Sequence, residues 1–215
     1  MYYIIIVMSY YSDFKYSANT PWYEAFLFNR WFKGSAGPIL DVACATGDFI
    51  SVNPNIIEGI DIDEDSMRIA RDRGYRVRKI NVDNGEMRQL PENTYSGVMA
   101  RQIIEHLHNP LEFLIEIKRV LKPGGLAVIL TPNCPYMLQK YFWDDYTHKR
   151  PLTKKSLRMV AYDAGFRDIV VYEEFRPLFG MGFILRNLKI SPRLLQKIQR
   201  IFFIRGLSLV MELKK

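Results

Sequence analysis

Two stretches of this sequence put acidic and small residues where a nucleoside could be held. The first is Ile39-Leu40-Asp41-Val42-Ala43-Cys44-Ala45-Thr46-Gly47-Asp48. An apolar strand runs into a turn of small residues and then a helix start. Small residues let backbone approach a ligand closely, and the amides of a helix start face negative charge; the alternative is a turn of small residues made for packing alone. The second is Gly59-Ile60-Asp61-Ile62-Asp63, where an acid closes the next apolar run. A carboxylate at that place can accept both hydroxyls of a ribose. The alternative duty is to cap the helix that starts near Glu64, which Asp63 is placed to do.

Histidine is the side chain best suited to take a proton near neutral pH, and there are three: His106, His108 and His148. His106 follows Glu105 at the mouth of the fourth expected strand, where ligands bind in sheets of this kind. His108 stands beside Asn109-Pro110 and is expected to face solvent. His148 lies in an aromatic and charged loop, Trp143 to Pro151. His148 is the leading candidate base and His106 the second. The alternatives are a structural hydrogen bond for His106 and, for the His148 loop, a bonded lead-in to a helix capped by Thr153. Cys44 reads as a small packing residue. With only Cys44 and Cys134, a disulfide scaffold and a four-cysteine zinc site are excluded, and no metal site is expected.

The elements that must position these groups alternate. Strands are expected at Ile39–Ala43, Ile57–Ile62, Tyr75–Val82, Val98–Ala100 and Leu126–Thr131, with a last strand at Leu207–Leu213. Helices are expected after Pro21, near Glu64–Arg73, at Gln102–His106 and at Leu111–Leu121. In the last of these, Leu111, Leu114, Ile115, Ile117 and Leu121 fall on one face, with Glu112, Glu116 and Arg119 toward water. Asn109-Pro110 opens that helix and Lys122-Pro123-Gly124-Gly125 stops it. This alternation predicts an α/β fold, a doubly wound and mostly parallel sheet.

At 215 residues, the chain suits one domain. Its 48% hydrophobic and 25% charged residues exclude a disordered protein. No apolar run reaches the ~20 residues needed to span a bilayer. Met1 to Met8 is too short, and wrongly flanked, for a signal peptide. A cytoplasmic location is therefore expected. The net charge of +7 suits an anionic partner.

The motifs together resemble a class I S-adenosylmethionine-dependent methyltransferase, over about residues 38–170. ILDVACATGDF resembles that family's glycine motif and GIDID its ribose-binding acidic motif. The stretch from Ile80 to Pro110 resembles the segment with the adenine-contacting Asp and the Glu-His-Leu signature, and IKRVLKPGGLAVILTPN the helix and strand that follow. The resemblance implies a seven-stranded Rossmann-like sheet with the last strand antiparallel beside the fifth, and S-adenosyl-L-methionine as cofactor. It also implies roles. Asp41 would hold the loop and the cofactor's amino group, while Ala43, Cys44, Ala45 and Gly47 line the methionine and ribose. Asp61 would take the ribose hydroxyls, with Ile62 against the adenine. Asp83 would accept from the adenine amino group, with the Asn84 amide beside it. Ala100 and Arg101 would present backbone to the methionine. The Asp145-to-Thr153 stretch resembles one found with glycan and lipid-linked substrates, so Trp143, Asp145, Tyr146 and Arg150 are expected to meet the acceptor.

Three positions depart from the family pattern. Ala43 and Ala45 stand where glycine is usual, and alanine prefers negative φ. Ser96 stands where an Asp commonly begins the fourth strand.

The expected layout is one domain, 1–215: an aromatic helical cap (1–37), the core (38–175), a basic helical insertion (176–206) and the last strand (207–215). In the insertion Arg186, Lys189, Arg193, Lys197, Arg200 and Arg205 interleave with apolar residues and no acid. It either packs on the sheet or lies on an anionic membrane surface. The expected activity is methyl transfer to an O or N atom of a small-molecule, glycan or lipid-linked acceptor. An RNA methyltransferase is disfavoured because no RNA-binding module is appended. A non-catalytic cofactor-binding partner protein is the reading from a different class.

Overall fold

The computed structural model describes residues 21–134, 142–174 and 208–215. Residues 1–20 of the expected cap and the whole basic insertion, with the membrane expectation attached to it, lie outside the described residues. Helix α1 (Pro21–Trp31) leads into β1 (Ile39–Val42), β2 (Ile57–Asp61), α2 (Glu64–Asp72), β3 (Val77–Lys79) and β4 (Tyr95–Arg101). Then come α3 (Pro110–Val120), β5 (Leu121–Pro132), α4 (Lys154–Asp163), β6 (Asp168–Glu174) and β7 (Ser208–Lys214). The strands form one seven-stranded sheet in the order β3-β2-β1-β4-β5-β7-β6. The strands from β3 to β5 in that order pair in parallel, and β7 runs antiparallel to both β5 and β6. The order reverses beside β1, so the carboxyl ends of β1 and β4 border the crevice where such sheets bind ligands.

Side-chain alternation feeds two cores, one on each face of the sheet. Leu40, Val98, Ala100, Ile129 and Met211 enter one, with Phe113 and Ile117 of α3 and Leu157 of α4. Ile39, Met99, Val128, Leu130 and Val210 enter the other, with Leu27 of α1 and Phe32 behind it. Burying each such aliphatic side chain contributes roughly 1.5–3 kcal/mol. Gly97 sets how closely the second layer approaches: a Cβ there would lie 2.6 Å from Phe32 Cε1.

The caps follow local chemistry. Asp63 accepts from the Asp65 amide at 3.3 Å and the Ser66 hydroxyl at 2.5 Å. Asn109 Oδ1 accepts from the Glu112 amide at 3.2 Å. Thr153 and Ser156 form a reciprocal capping box at the start of α4.

Several boundaries differ from expectation. The third strand is confined to Val77–Lys79, and the fourth extends to Tyr95–Arg101. The expected helix at Gln102–His106 is a single 3-10 turn, Ile104–His106, because Gln102 takes a φ of 52°. Helix α3 stops at Val120, ahead of Lys122–Gly125 as expected, but the fifth strand already begins at Leu121 rather than Leu126. Leu121 already pairs with Tyr95, and the register resumes at Leu126 opposite Gly97, so this stretch bulges out of β5. On α3, Glu116 is buried rather than facing water, because Arg119 Nε donates to it at 2.9 Å. Arg119 also donates to the carbonyls of Leu90 and Met87 at 2.8 Å each. Leu111 and Ile115, expected on the apolar face, are exposed.

Candidate active site

The loop after β1 is held in a fixed shape from three sides. Its Cys44 amide donates to the Ile60 carbonyl at 3.1 Å, and its Ala45 amide to Asp61 Oδ2 at 2.8 Å. Arg73 donates to the Thr46 carbonyl at 2.9 Å and to Asp48 at 3.0 Å. Gly47 takes a φ of 80° and presses on Tyr75, where a Cβ would lie 2.6 Å from the ring. Ala43 and Ala45, expected to need negative φ, adopt 58° and 48°. The loop therefore keeps the left-handed path that glycines would take, at a cost of order 1 kcal/mol per alanine. The Cys44 side chain turns inward onto Gly59, whose missing Cβ leaves it room. Burial raises its thiol far above the usual value, which fits packing and not nucleophilic work.

Asp61 clamps this loop. Besides the Ala45 amide, it accepts from the amides of Ile62 at 2.7 Å and Asp63 at 2.9 Å. Burial still pushes its carboxyl upward against those bonds. Two oxygens offer about four acceptor sites, so three amides leave capacity for a ribose hydroxyl. Beside it, Ile62 is exposed, an apolar surface fit for a flat ring.

Asp41 is the unusual group. It is 1% exposed, and its Oδ2 has no hydrogen-bond partner among the described residues. Burial raises its carboxyl to about 7, against the pull of Arg101 and with a further push from Glu24, Asp61 and Asp48. Arg101 is held by Glu24 of α1, Nη1 to Oε1 at 2.8 Å, and lies over the Phe49 ring. Glu24 is a buried acid in an aromatic helix, and the sequence reading missed it. Its only signal was a lone carboxylate on the apolar face of α1.

A second cluster sits at the carboxyl ends of β4 and β5. The His106 and His148 rings lie 4.6 Å apart, and His148 lies 4.4 Å from the Phe142 ring. His148 Nδ1 meets the Phe142 carbonyl at 2.6 Å. His106 Nδ1 meets Thr147 Oγ1 at 2.9 Å, and that hydroxyl donates to Asp145 Oδ1 at 2.6 Å. Glu105, fully buried, accepts from Thr131 Oγ1 at 3.0 Å. Its carbonyl accepts from the amides of Lys149 at 2.9 Å and Arg150 at 3.2 Å, which seats the loop.

A family model described as a methyltransferase domain matches residues 19–171. The chain belongs to the class I S-adenosylmethionine-dependent methyltransferase family. A probable S-adenosylmethionine-dependent methyltransferase of Mycobacterium tuberculosis is 29% identical over 64% of this chain and 51% of its own length. A demethylmenaquinone methyltransferase of Staphylococcus aureus is 30% identical over 47% of each chain. The chain thus spans about half the length of the curated relatives it matches. A methyltransferase structure from Archaeoglobus fulgidus shares the fold with a TM-score of 0.70 at 24% identity, over 100% of both chains.

Within this methyltransferase domain the expected residues sort unevenly. Asp41, Ala43, Ala45, Gly47, Asp61 and Ile62 gather at the carboxyl edges of β1 and β2. Ala100 is fully buried in β4, and Arg101 contributes a charged side chain where only its backbone was expected. Asp83, expected on the adenine amino group, is turned elsewhere. It accepts from His108 Nδ1 at 2.5 Å, the His108 amide at 2.7 Å and Lys149 Nζ at 3.4 Å. Burial opposes ionisation there, but these bonds win and hold the carboxyl below its usual range. Asn84 pairs with Glu86. His108 is exposed as expected, yet its ring Nδ1 is held by Asp83. Arg150 is spent on structure, donating to the His108 carbonyl at 2.6 Å and the Leu107 carbonyl at 3.4 Å. Asp145 likewise holds Thr147. Trp143 and Tyr146, expected to meet an acceptor, are exposed on the same loop.

Proposed function

We propose that this chain transfers the methyl group of S-adenosylmethionine to an oxygen or nitrogen of a small organic acceptor. The carrying observation is the Ala43–Gly47 loop clamped by Asp61, with the buried Asp41 beside it. A sulfonium cofactor brings an ammonium group, and a buried carboxylate with one oxygen unpaired among the described residues is the group that would receive it. Its ribose would meet Asp61 and its adenine Ile62. The proposed acceptor lies against Trp143, Tyr146, His148 and His106, with lipid-linked and glycan acceptors included in the class. The relative named as a demethylmenaquinone methyltransferase supports the small-molecule end of that class.

Methyl transfer is an in-line displacement, so holding donor and acceptor in line and excluding water supplies much of the rate. The acceptor's attacking atom forms the new bond to the methyl carbon, and the carbon–sulfur pair stays on sulfur. The acceptor's proton leaves to a histidine Nε2 or to water.

Two measurements test this. Calorimetry should show S-adenosylmethionine and its demethylated product binding to the full chain. Transfer of label from methyl-labelled cofactor to a panel of quinols, amines, glycans, lipids and RNA should mark a small organic acceptor. Absence of cofactor binding, or label on RNA alone, would overturn the proposal.

A further inference from the structure

Glu105, His106 and His148 bring one carboxylate oxygen and two ring nitrogens to within 4.8 Å of one another. Proximity of this kind is common; the surrounding hydrogen bonds make this case specific. The Phe142 carbonyl can only accept, so the bond at 2.6 Å puts the His148 proton on Nδ1. The Thr147 hydroxyl has one proton, and the Asp145 carboxylate takes it at 2.6 Å. Thr147 Oγ1 must therefore accept from His106, which puts that proton on Nδ1 as well. In the neutral rings both Nε2 atoms are then the lone-pair nitrogens. Glu105 is oriented in the same manner by the Thr131 hydroxyl at 3.0 Å. Each of the three groups thus has a partner of its own that fixes its direction. This is the support that metal-ligating imidazoles and carboxylates carry. A fourth donor atom is close: Asp145 Oδ2 lies 3.8 Å from His148 Nε2.

The geometry points to a divalent transition-metal site formed by Glu105, His106 and His148. Two imidazoles and one carboxylate suit Zn²⁺, Mn²⁺, Co²⁺ or Fe²⁺ better than Mg²⁺, which prefers oxygen ligands and water. The three protein ligands leave positions open for a further oxygen. Resting on the methyl-transfer reading, the site also narrows the acceptor to one with a hydroxyl group. An ion there lowers the hydroxyl pKa, as it does that of bound water. The O–H proton passes to solvent, the oxygen bonds to the methyl carbon, and the carbon–sulfur pair remains on sulfur. The histidines would then be ligands and not bases.

The test is titration of the chelator-treated full chain with Co²⁺, read by its d–d absorption, and competition by Zn²⁺. The wild type should take up one Co²⁺ per chain. Glu105→Gln and His148→Ala should each weaken binding about 100-fold, and Thr131→Val, which leaves all three ligands in place, about 10-fold. Circular dichroism and cofactor calorimetry run on the same samples. Should the substituted ligands impair folding, Thr131→Val and the wild type still decide. No Co²⁺ or Zn²⁺ uptake by the wild type, or equal uptake by folded Glu105→Gln and His148→Ala, overturns the site. Cofactor binding without metal binding would sink the metal site alone. Metal binding without cofactor binding would sink the methyl-transfer reading and leave the site standing.

Discussion

Replacing Asp41 by Asn should make the cofactor-free protein more stable while weakening its hold on S-adenosylmethionine. In the folded chain the Asp41 carboxyl sits at about 7, against 3.8 for the free side chain, chiefly because burial penalises its charge. For an acid raised in this way the cost is absent below the unfolded value. It grows as pH rises and is complete above about 7. The rise from 3.8 to about 7, at about 1.4 kcal/mol per pH unit, corresponds to about 4 kcal/mol at pH 8. At pH 5 only about 1.6 kcal/mol of it is present. Asp41→Asn, which does not titrate, should gain about 2–3 kcal/mol more at pH 8 than at pH 5. For a chain of this length, that difference is about 5–10 °C in melting temperature. Calorimetric melting at both pH values measures it. Cofactor affinity of the wild type should rise with pH up to about 7 and then level off, since the ammonium prefers the ionised carboxylate. Asp41→Asn should bind at least about 10-fold more weakly at pH 8 and lose this dependence. An equal gain in stability at both pH values, or unchanged cofactor affinity, would refute the reasoning.

Ala45→Gly should relieve the strain of a φ of 48° and raise stability by about 1 kcal/mol, visible in urea unfolding as a higher midpoint at unchanged slope. Gly97→Ala should do the reverse. Its Cβ would meet Phe32 at 2.6 Å, and a loss of about 1–3 kcal/mol is expected by the same measurement, with α1 displaced from the sheet.

What the sequence made legible was local. The runs Ile39–Val42 and Ile57–Asp61 declared β1 and β2 through their apolar character. Asp63, Asn109 and Thr153 declared the starts of three helices, because a cap needs only its own next turn. Asp61 could be singled out because it closes a strand and is followed by a better cap. What stayed hidden depends on distant partners. Glu24 meets Arg101 only once α1 docks on β4. The tautomers of His106 and His148 depend on Thr147 and on the Phe142 carbonyl. Arg150 and Asp83 looked available to ligands until folding supplied the Leu107–His108 carbonyls and Lys149. The left-handed path of Ala43 and Ala45 ran against residue preference, because the clamp from Asp61 and the packing of Gly47 outweigh a strain of about 1 kcal/mol.

The placement of β7 between β5 and β6 has a consequence for how this molecule can change. Glu174 closes β6 directly opposite Ser208, which opens β7, and Ser208 also faces Pro132 at the carboxyl end of β5. The chain from 175 to 207 thus departs and returns at a single paired point, on the rim that also carries the Glu105–His148 cluster. A stretch tethered at both ends of one rung can be lengthened, shortened or exchanged wholesale without moving any strand by a residue. The sheet therefore works as a fixed socket: what joins β6 to β7 can be changed while the strands and the loop after β1 stay in place.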